Sequence, residues 1–595
     1  MSEPEPNDVD PSEPAERETP RLHGALIIAG PLGLALAVVL SMWSSSQKIL
    51  HSVDVQVDAQ WQPGQSLALR TQVLGADLRP LDRTLAVEAE LVDAAGTRHP
   101  LGSLTEVGTG LAQLELAVPE AASGTASLQL HYDIAGQPRF DEQVEVEVVE
   151  HRSARTAEQV VAGNMLQWAD DSDPQPDDLR IDLRFAGRLV AGFRNRVFVR
   201  VTDPSGKPWA PTDRDATVEV RLLSGEWSGL QGKSDDPPIV HQGPLDRLGL
   251  ADFAGVLTSD VVRFEVRLPG SRPAAPPPNP PETAPPQTPP PAAPPESPPK
   301  PGPKRALRFV SHAGTVDILP ETELARPGDT IRFAVDAIST RKPVFVDVHA
   351  PDGAWLATAT PPPNVAQDRE WTIPATLGEG LLQLEGYQSV SSPEQSSALA
   401  RIQLSTLAPG DPRSLEPLIA AQREQLSLPR VDKQFELVRE QAYLDTLASF
   451  AQGKAAQGLD AAEVARVRSF LIGSLEPVVY GPPVALDTRA REVETLADFK
   501  ARWLIRIRVW LFGGGGAFIV LLAALVWRHQ RQFERQTSAA LGLAEGPRDE
   551  EVFADQSLAL QRARQEIVGR GVITILLWVA MLIITIMMLE KLVWI

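Results

Sequence analysis

Three uncharged apolar runs constrain this chain more than any other feature: residues 24–43, 509–527 and 571–589. Each is long enough to cross a hydrocarbon core of about 30 Å as a helix. Buried core helices are the competing reading, and uncharged runs of this length argue against it. Pro31 in the first run predicts a kink of the kind membrane helices tolerate. That run is long for the apolar region of a cleaved signal peptide and no clean small-x-small site follows, so an uncleaved anchor is expected. Trp510, Trp527 and Trp594 stand near span ends, where indoles prefer the interface.

Orientation follows from basic residues in short connections. Segment 528–570 carries Arg528, Arg531, Arg535, Arg548, Arg562, Arg564 and Arg570 without a lysine. It is therefore expected to be a cytoplasmic loop. The acidic, disordered tail 1–23, with Arg17 and Arg21, then also lies inside. Residues 44–502 lie outside a bacterial inner (plasma) membrane, in a multi-pass protein whose partner is first of all the lipid bilayer. Lys500, Arg502, Arg506 and Arg508 run against this rule, since they precede the second span on its outer side. Within that span, Gly513, Gly514, Gly515 and Gly516 cost helix propensity but allow close backbone approach. They form a candidate helix-packing face, with a poorly helical start to the span as the alternative.

The 595 residues suffice for several domains. A net charge of −21 argues against a nucleic-acid partner, which needs a concentrated basic surface. The chain has no cysteine, which excludes disulfides, thiolate metal sites and cysteine nucleophiles.

Between the first and second spans the pattern alternates with period two, the mark of strands with one buried face. It occurs at Val53, Val55 and Val57, at Val87, Ala89 and Leu91, and at Val144, Val146 and Val148. It returns at Ile181 to Phe185, Val218 to Val220 and Phe264 to Val266, and again at Phe333 to Val335 and Val344 to Val348. This predicts three β-sandwich modules, at 52–150, 178–269 and 305–405. Their turn signatures recur as diverged repeats. Pro63-Gly64 matches Pro327-Gly328, and Gly110-Leu111-Ala112 matches Gly249-Leu250-Ala251. Val118-Pro119 with Gly124 matches Ile373-Pro374 with Gly378. Turns at Asp93 to Gly96, Asp203 to Gly206 and Pro351 to Gly353 punctuate all three.

On these turn signatures the chain resembles the macroglobulin-type and bacterial immunoglobulin-like sandwich modules of exported proteins, over about half its length. The resemblance implies a fold. Macroglobulins trap proteases through a Cys-Gly-Glu-Gln thioester, which a chain without cysteine cannot form. Fold alone assigns no function.

From Pro273 to Pro303 the sequence is dominated by proline. Segment 270–304 is expected to be an extended polyproline-II stalk. PxxP ligands are the other reading, but their readers are not expected outside the cytoplasm. Helical periodicity then predicts a neck over 412–500, with stripes at Leu437, Leu444, Leu447 and Ala451 and at Val464, Val467, Leu471 and Leu475. Asp460 and Glu463 resemble a capping box, and a last helix from near Asp487 runs into the second span.

Catalytic and cofactor-binding constellations are not expected. The nine histidines are dispersed, and His131 and His349 read as ordinary surface or satisfied strand residues. Asp170, Asp171, Asp173 and Asp177, with Asp178, are the best metal candidates, because hard carboxylates in a loop suit Ca²⁺. A solvated acidic linker is the simpler reading of them. The expected function is a non-enzymatic, membrane-tethered scaffold or adhesion-type protein presenting extracytoplasmic modules to a protein partner, a second copy of itself or a glycan. The alternative is a subunit of a membrane transport, secretion or sensing complex.

Overall fold

The computed structural model describes residues 18–157, 159–160, 168–169, 179–209, 217–233, 235–268, 302–362, 369–390, 398–427, 434–454, 458–542 and 550–593. The chain divides into a mainly helical unit, Met1–Val53 with Leu74–Arg79 and Asp487–Ile595, and a β-rich unit, Asp54–Val73 with Pro80–Leu486.

The β-rich unit contains three β-sandwich modules, as the alternation predicts. The first is one sheet in the order Gln60–Trp61, Phe140–Val148, Gly124–Ile134, Leu85–Val92, Arg98–Gly108, Leu111–Ala117, Ser66–Leu74, Ser52–Val57, Val484–Asp487. It folds back within Arg98–Gly108, which pairs Leu85–Val92 by its first part and Leu111–Ala117 by its last, with a register shift in each ladder. The Thr71 and Tyr132 hydroxyls meet at 2.7 Å in the buried space between the layers.

The second module places Arg180–Phe185, Arg194–Thr202 and Leu250–Val256 over a sheet of Trp168–Ala169, Lys304–Val310, Val261–Arg267, Thr217–Ser224 and Ile239–Pro244. Leu183, Val199, Val220, Phe264 and Phe309 are among the side chains filling the gap. Each fully buried side chain of this kind contributes roughly 1.5–3 kcal/mol. The third module places Val316–Pro320, Thr330–Ala337 and Arg369–Thr372 over Leu324–Ala325, Ala398–Leu404, Gly380–Tyr387, Phe345–His349 and Trp355–Ala359.

The repeat reading has a geometric basis in the first two modules. Gly110 and Gly249 both adopt positive φ, 62° and 69°. Their carbonyls accept from Val73 and Val201, and those residues' carbonyls in turn accept from Leu81 and Trp209. A Cβ on Gly110 would lie 2.7 Å from the Val73 oxygen, and one on Gly249 would strike Val201 in the same way. Only glycine fits either corner.

Three expectations need correction. The boundary expected between the second and third modules at the proline-rich segment is displaced. Residues 269–301 lie outside the described residues, but the strands flanking them, Val261–Arg267 and Lys304–Val310, pair directly, and Leu268 N–H donates to Pro303 O at 2.9 Å. Strand Lys304–Val310 therefore belongs to the second module, and the third begins near Val316.

The helical neck is not a separate element either. Helices α2 (Glu416–Ser427), α3 (Gln434–Ala451) and α4 (Ala461–Ser474) pack through Leu418, Tyr443, Leu447, Val467 and Phe470 against Phe198, Leu248 and Leu250 of the second module. The capping box is present: Asp460 accepts from Glu463 N–H at 2.8 Å, and Asp460 N–H donates to Glu463 at 2.9 Å.

Third, 528–570 is largely helix rather than loop. With α1 counted as Glu18–Ser46, α5 runs unbroken over Arg489–Gly542 and α6 over Glu550–Val593. At 1.5 Å per residue α5 is about 80 Å long, far more than a bilayer needs. Beyond the apolar stretches α5 and α6 are joined by an Arg564–Glu534 ion pair of 3.0 Å. The expected tail 1–23 is likewise helical from Glu18.

Candidate functional site

In the helical unit, α1, α5 and α6 are each long and apolar enough to cross a membrane. Ala37, Ile507 and Leu511 form their buried centre, with Leu34, Leu40, Trp503, Leu582 and Ile586 around it. The four glycines differ in their surroundings. A Cβ on Gly515 would lie 3.1 Å from Leu582, so that glycine sits at the α5–α6 contact. Gly513, Gly514 and Gly516 have nothing within 4 Å of an added Cβ.

The other close approaches are at glycines the sequence pattern did not single out. A side chain on Gly30 would enter the Trp578 indole, and one on Gly571 would lie 2.7 Å from Val526. The sequence signal was available in Gly30-Pro31-Leu-Gly33, where small residues recur along an apolar helix. Between the helices lies a cavity of about 170 Å³, lined by Gly30 and Gly33 of α1, Trp510, Gly514 and Phe518 of α5, and Trp578 of α6 among others.

In the β-rich unit the distinctive feature is buried charge where modules meet. Arg70, on strand Ser66–Leu74, and Asp347, on strand Phe345–His349, pair at 2.8 Å with both side chains fully buried. Arg70 also donates to Tyr387 and Thr358, and the Tyr387 hydroxyl donates to Asp347. The guanidinium lies 5.0 Å from the Phe345 ring centroid and 5.1 Å from that of Trp355. Nearby, Asp58 accepts from Trp355 N–H at 2.7 Å and from Arg152 at 3.2 Å. The first and third modules are thus joined by a buried polar network in which Arg70 Nε, Arg152 Nε and Trp355 Nε1 are left without a hydrogen-bond partner.

A second seam joins α3 to the second module. Glu440 accepts from Arg184 and Arg200, while Arg200 also reaches Asp182 at 2.9 Å. Burial alone would raise the Glu440 carboxyl, but Arg184 and Arg200 outweigh it and hold it down at about 2. A third cluster surrounds Glu385, which accepts from the backbone N–H groups of Tyr480 and Gly481 and from Gln383. Nearby burial lowers the Arg401 guanidinium to about 10.

Histidine expectations divide here. His131 is partly exposed and bonded to Asp141 at 2.8 Å, an ordinary surface pair. His349 is instead fully buried, 3.6 Å from Glu385, with neither ring nitrogen hydrogen-bonded. Asp170, Asp171, Asp173, Asp177 and Asp178 lie outside the described residues. Among the described residues no group of three or more histidines and carboxylates is placed to hold a metal.

One carboxyl is strained electrostatically. Asp317 pairs in register with Asp336, and its Oδ2 has no hydrogen-bond partner. Burial raises it to about 6, with Asp336 adding to the effect. Its folded value lies above its unfolded one, so its neutral form favours folding below about pH 4 and the benefit is lost as pH rises through about 6. Asp317→Asn should therefore raise the stability of the third module at pH 7.5 by about 2 kcal/mol and leave it little changed at pH 4. Thermal melts of the full chain at both pH values check this; equal shifts at the two would contradict it.

No family model matches the chain, and no curated protein matches it. Among solved structures it has 12% identity with Salmonella α2-macroglobulin reacted with methylamine, covering 61% of this chain and 25% of that one, at a TM-score of 0.15. Native E. coli α2-macroglobulin shares 12% identity over 60% of this chain and 22% of that one, at 0.15. A tetra-tandem repeat from the extending region of a large adhesion protein shares 10% over 60% and 75%, at 0.14. The chain thus spans about a quarter of the macroglobulins' length. Scores this low carry no argument; the sandwich description rests on the sheets themselves.

Proposed function

We propose that the chain is a non-enzymatic, membrane-tethered scaffold, holding its sandwich modules on the extracytoplasmic side of a bacterial inner membrane for a protein or glycan partner. The observation that carries this is the fully buried Arg70–Asp347 pair, with its hydrogen bonds to Tyr387 and Thr358. A buried charge pair opens only at the cost of stranding both charges. It supports a body that presents a fixed surface, in preference to modules strung out for reach. Three helices of spanning length and composition support the tether. Val53 and Thr488 exchange hydrogen bonds of 2.9 and 3.0 Å, which supports tethering of the body at both of its ends. Cross-linking in native membranes should capture one reproducible protein partner or a second copy, or a glycan array should show a defined ligand. A chain always recovered alone, with no glycan bound, would overturn the reading.

The helical extensions of α5 and α6, with their Arg564–Glu534 pair, favour a second reading as a subunit of a membrane transport, secretion or sensing complex. Deleting residues 537–560 separates the two. Presentation by the body would survive the deletion, whereas assembly or signalling through the hairpin would not.

A further inference from the structure

Among the described residues five tight turns share one hydrogen-bond pattern: the first N–H donates to the fifth carbonyl, and the fourth N–H to the first carbonyl. Four of them, Asp93–Thr97, Asp203–Lys207, Asp246–Leu250 and Ala350–Ala354, place glycine fourth, at φ of 81°, 93°, 69° and 81°. The fifth, Gly75–Arg79, closes with bonds of 2.8 and 3.0 Å and places Leu78 there, at φ 63°. That left-handed region crowds a Cβ, so glycine suits the position and leucine is strained in it. Three of the glycine turns also begin on an aspartate whose Oδ1 accepts from the third and fifth N–H groups. Gly75 has no side chain to do this. Burial does not offset the strain either, since Leu78 is 46% exposed. Strain kept at an exposed apolar side chain points to a partner outside the chain.

The place of the loop in the fold says which partner. Leu74–Arg79 belongs to the helical unit, together with the residues up to Val53 and from Asp487. Strand Ser66–Leu74 lies beside Ser52–Val57, and Thr71 Oγ1 donates to Asp54 O at 3.2 Å. The residues after Leu74 group with those before Val53, so the two strands run in opposite directions. The loop therefore projects alongside residues 47–51, the link that leaves α1. That link carries Leu50, which is 74% exposed, and the exposed Lys48. In the loop, Arg79 is 83% exposed and only loosely paired with Asp77, at 3.6 Å. At the same end of α1, Trp43 meets Phe499 and Trp503 of α5 edge-on, as aromatic rings do where spans leave the hydrocarbon. Two exposed leucines and two cations, a few residues beyond such a belt, match the headgroup layer: apolar tips at its inner edge, cations on its phosphates.

We propose that the Gly75–Arg79 loop is a membrane-surface anchor. Leu78 and Leu50 sit at the inner edge of the headgroup layer, and Lys48 and Arg79 lie against lipid phosphates. Leucine at the tip offers the lipid an apolar side chain that glycine lacks. The anchor rests on the membrane reading given above and adds an attachment besides the spans.

The chain has no cysteine, so Ala76→Cys labelled with bimane reports on the loop with Leu78 intact. The full chain is placed in vesicles of phosphatidylethanolamine and phosphatidylglycerol. The probe should be quenched by lipids carrying a nitroxide near the headgroup and shielded from aqueous iodide. The same probe at Ala95→Cys, in a glycine turn of identical hydrogen bonding, should show the reverse. Adding Leu78→Gly, which relieves the backbone and so keeps the fold, should abolish the lipid quenching at position 76. A probe at 76 open to iodide, a probe shielded from both quenchers as by a protein partner, or lipid quenching that survives Leu78→Gly would each overturn the anchor. Carbonate extraction of the membranes reads the spans separately. A chain that stays integral with its loop in water sinks the anchor alone, whereas a chain released to the aqueous phase sinks both.

Discussion

Asp347→Ala should destabilise the β-rich unit by about 3–5 kcal/mol, because it strands a buried guanidinium. Arg70 and Asp347 are both fully excluded from solvent, so water cannot replace the lost carboxylate. Burial works against the charge on Arg70, but Asp347 and the Tyr387 hydroxyl outweigh it and hold its pKa above the ordinary value. Removing Asp347 leaves the cost of burying the charge with less opposition. Tyr387 loses its acceptor in the same step. The double variant Arg70→Met with Asp347→Leu should recover most of the loss, since an apolar pair of similar size needs no partner. Denaturant unfolding of the full chain, followed by tryptophan fluorescence, measures both, because Trp355 lies against Arg70 and is fully buried. Should the double variant prove as unstable as the single one, the loss would come from packing, and the charge argument would fail.

What the sequence made legible was local. Span length, alternation, the Asp460–Glu463 capping box and the glycine corners are each set within a few residues, and each recurs in the structure. The module contacts are different in kind. Arg70 and Asp347 are 277 positions apart, and nothing near either names the other. A weak signal did exist at Val344-Phe-Val346-Asp-Val348-His-Ala350. An almost unbroken apolar run marks a strand buried on both faces, so its Asp and His had to be buried too. Read as simple alternation, the strand makes His349 an ordinary surface or satisfied residue, whereas it is buried with neither ring nitrogen hydrogen-bonded. The proline-rich segment misled for a related reason. Composition predicts the stiffness of a segment but not where its ends return, and here they return to neighbouring strands. In the helical unit, four consecutive glycines fall where α5 runs beside α6. They could not tell that only Gly515 lies in close contact with another helix, since that depends on which face a neighbour crosses.

Glu440→Ala should loosen the helical layer from the second module by about 3 kcal/mol, because Arg184 and Arg200 would then share a partly buried site with only Asp182. The two guanidiniums already oppose one another: burial and then the Arg200 charge lower the Arg184 pKa. Glu440 is the group that makes their proximity tolerable. Its own titration gives a second handle. Its folded value, about 2, lies below an unfolded value of 4.5. Its contribution is therefore complete above about pH 4.5 and lost as pH falls toward about 2, amounting to about 3 kcal/mol at neutral pH. In Glu440→Gln the shape of the site is kept and the charge removed, so the acid-dependent part of this loss should vanish while some hydrogen bonding survives. Hydrogen exchange resolved by segment locates the effect: α3 and strands Arg180–Phe185 and Arg194–Thr202 should lose protection together, and the third module should not. Loss of protection confined to α3 would mean that the helix frays by itself, and that the carboxylate is not what ties it to the sheet.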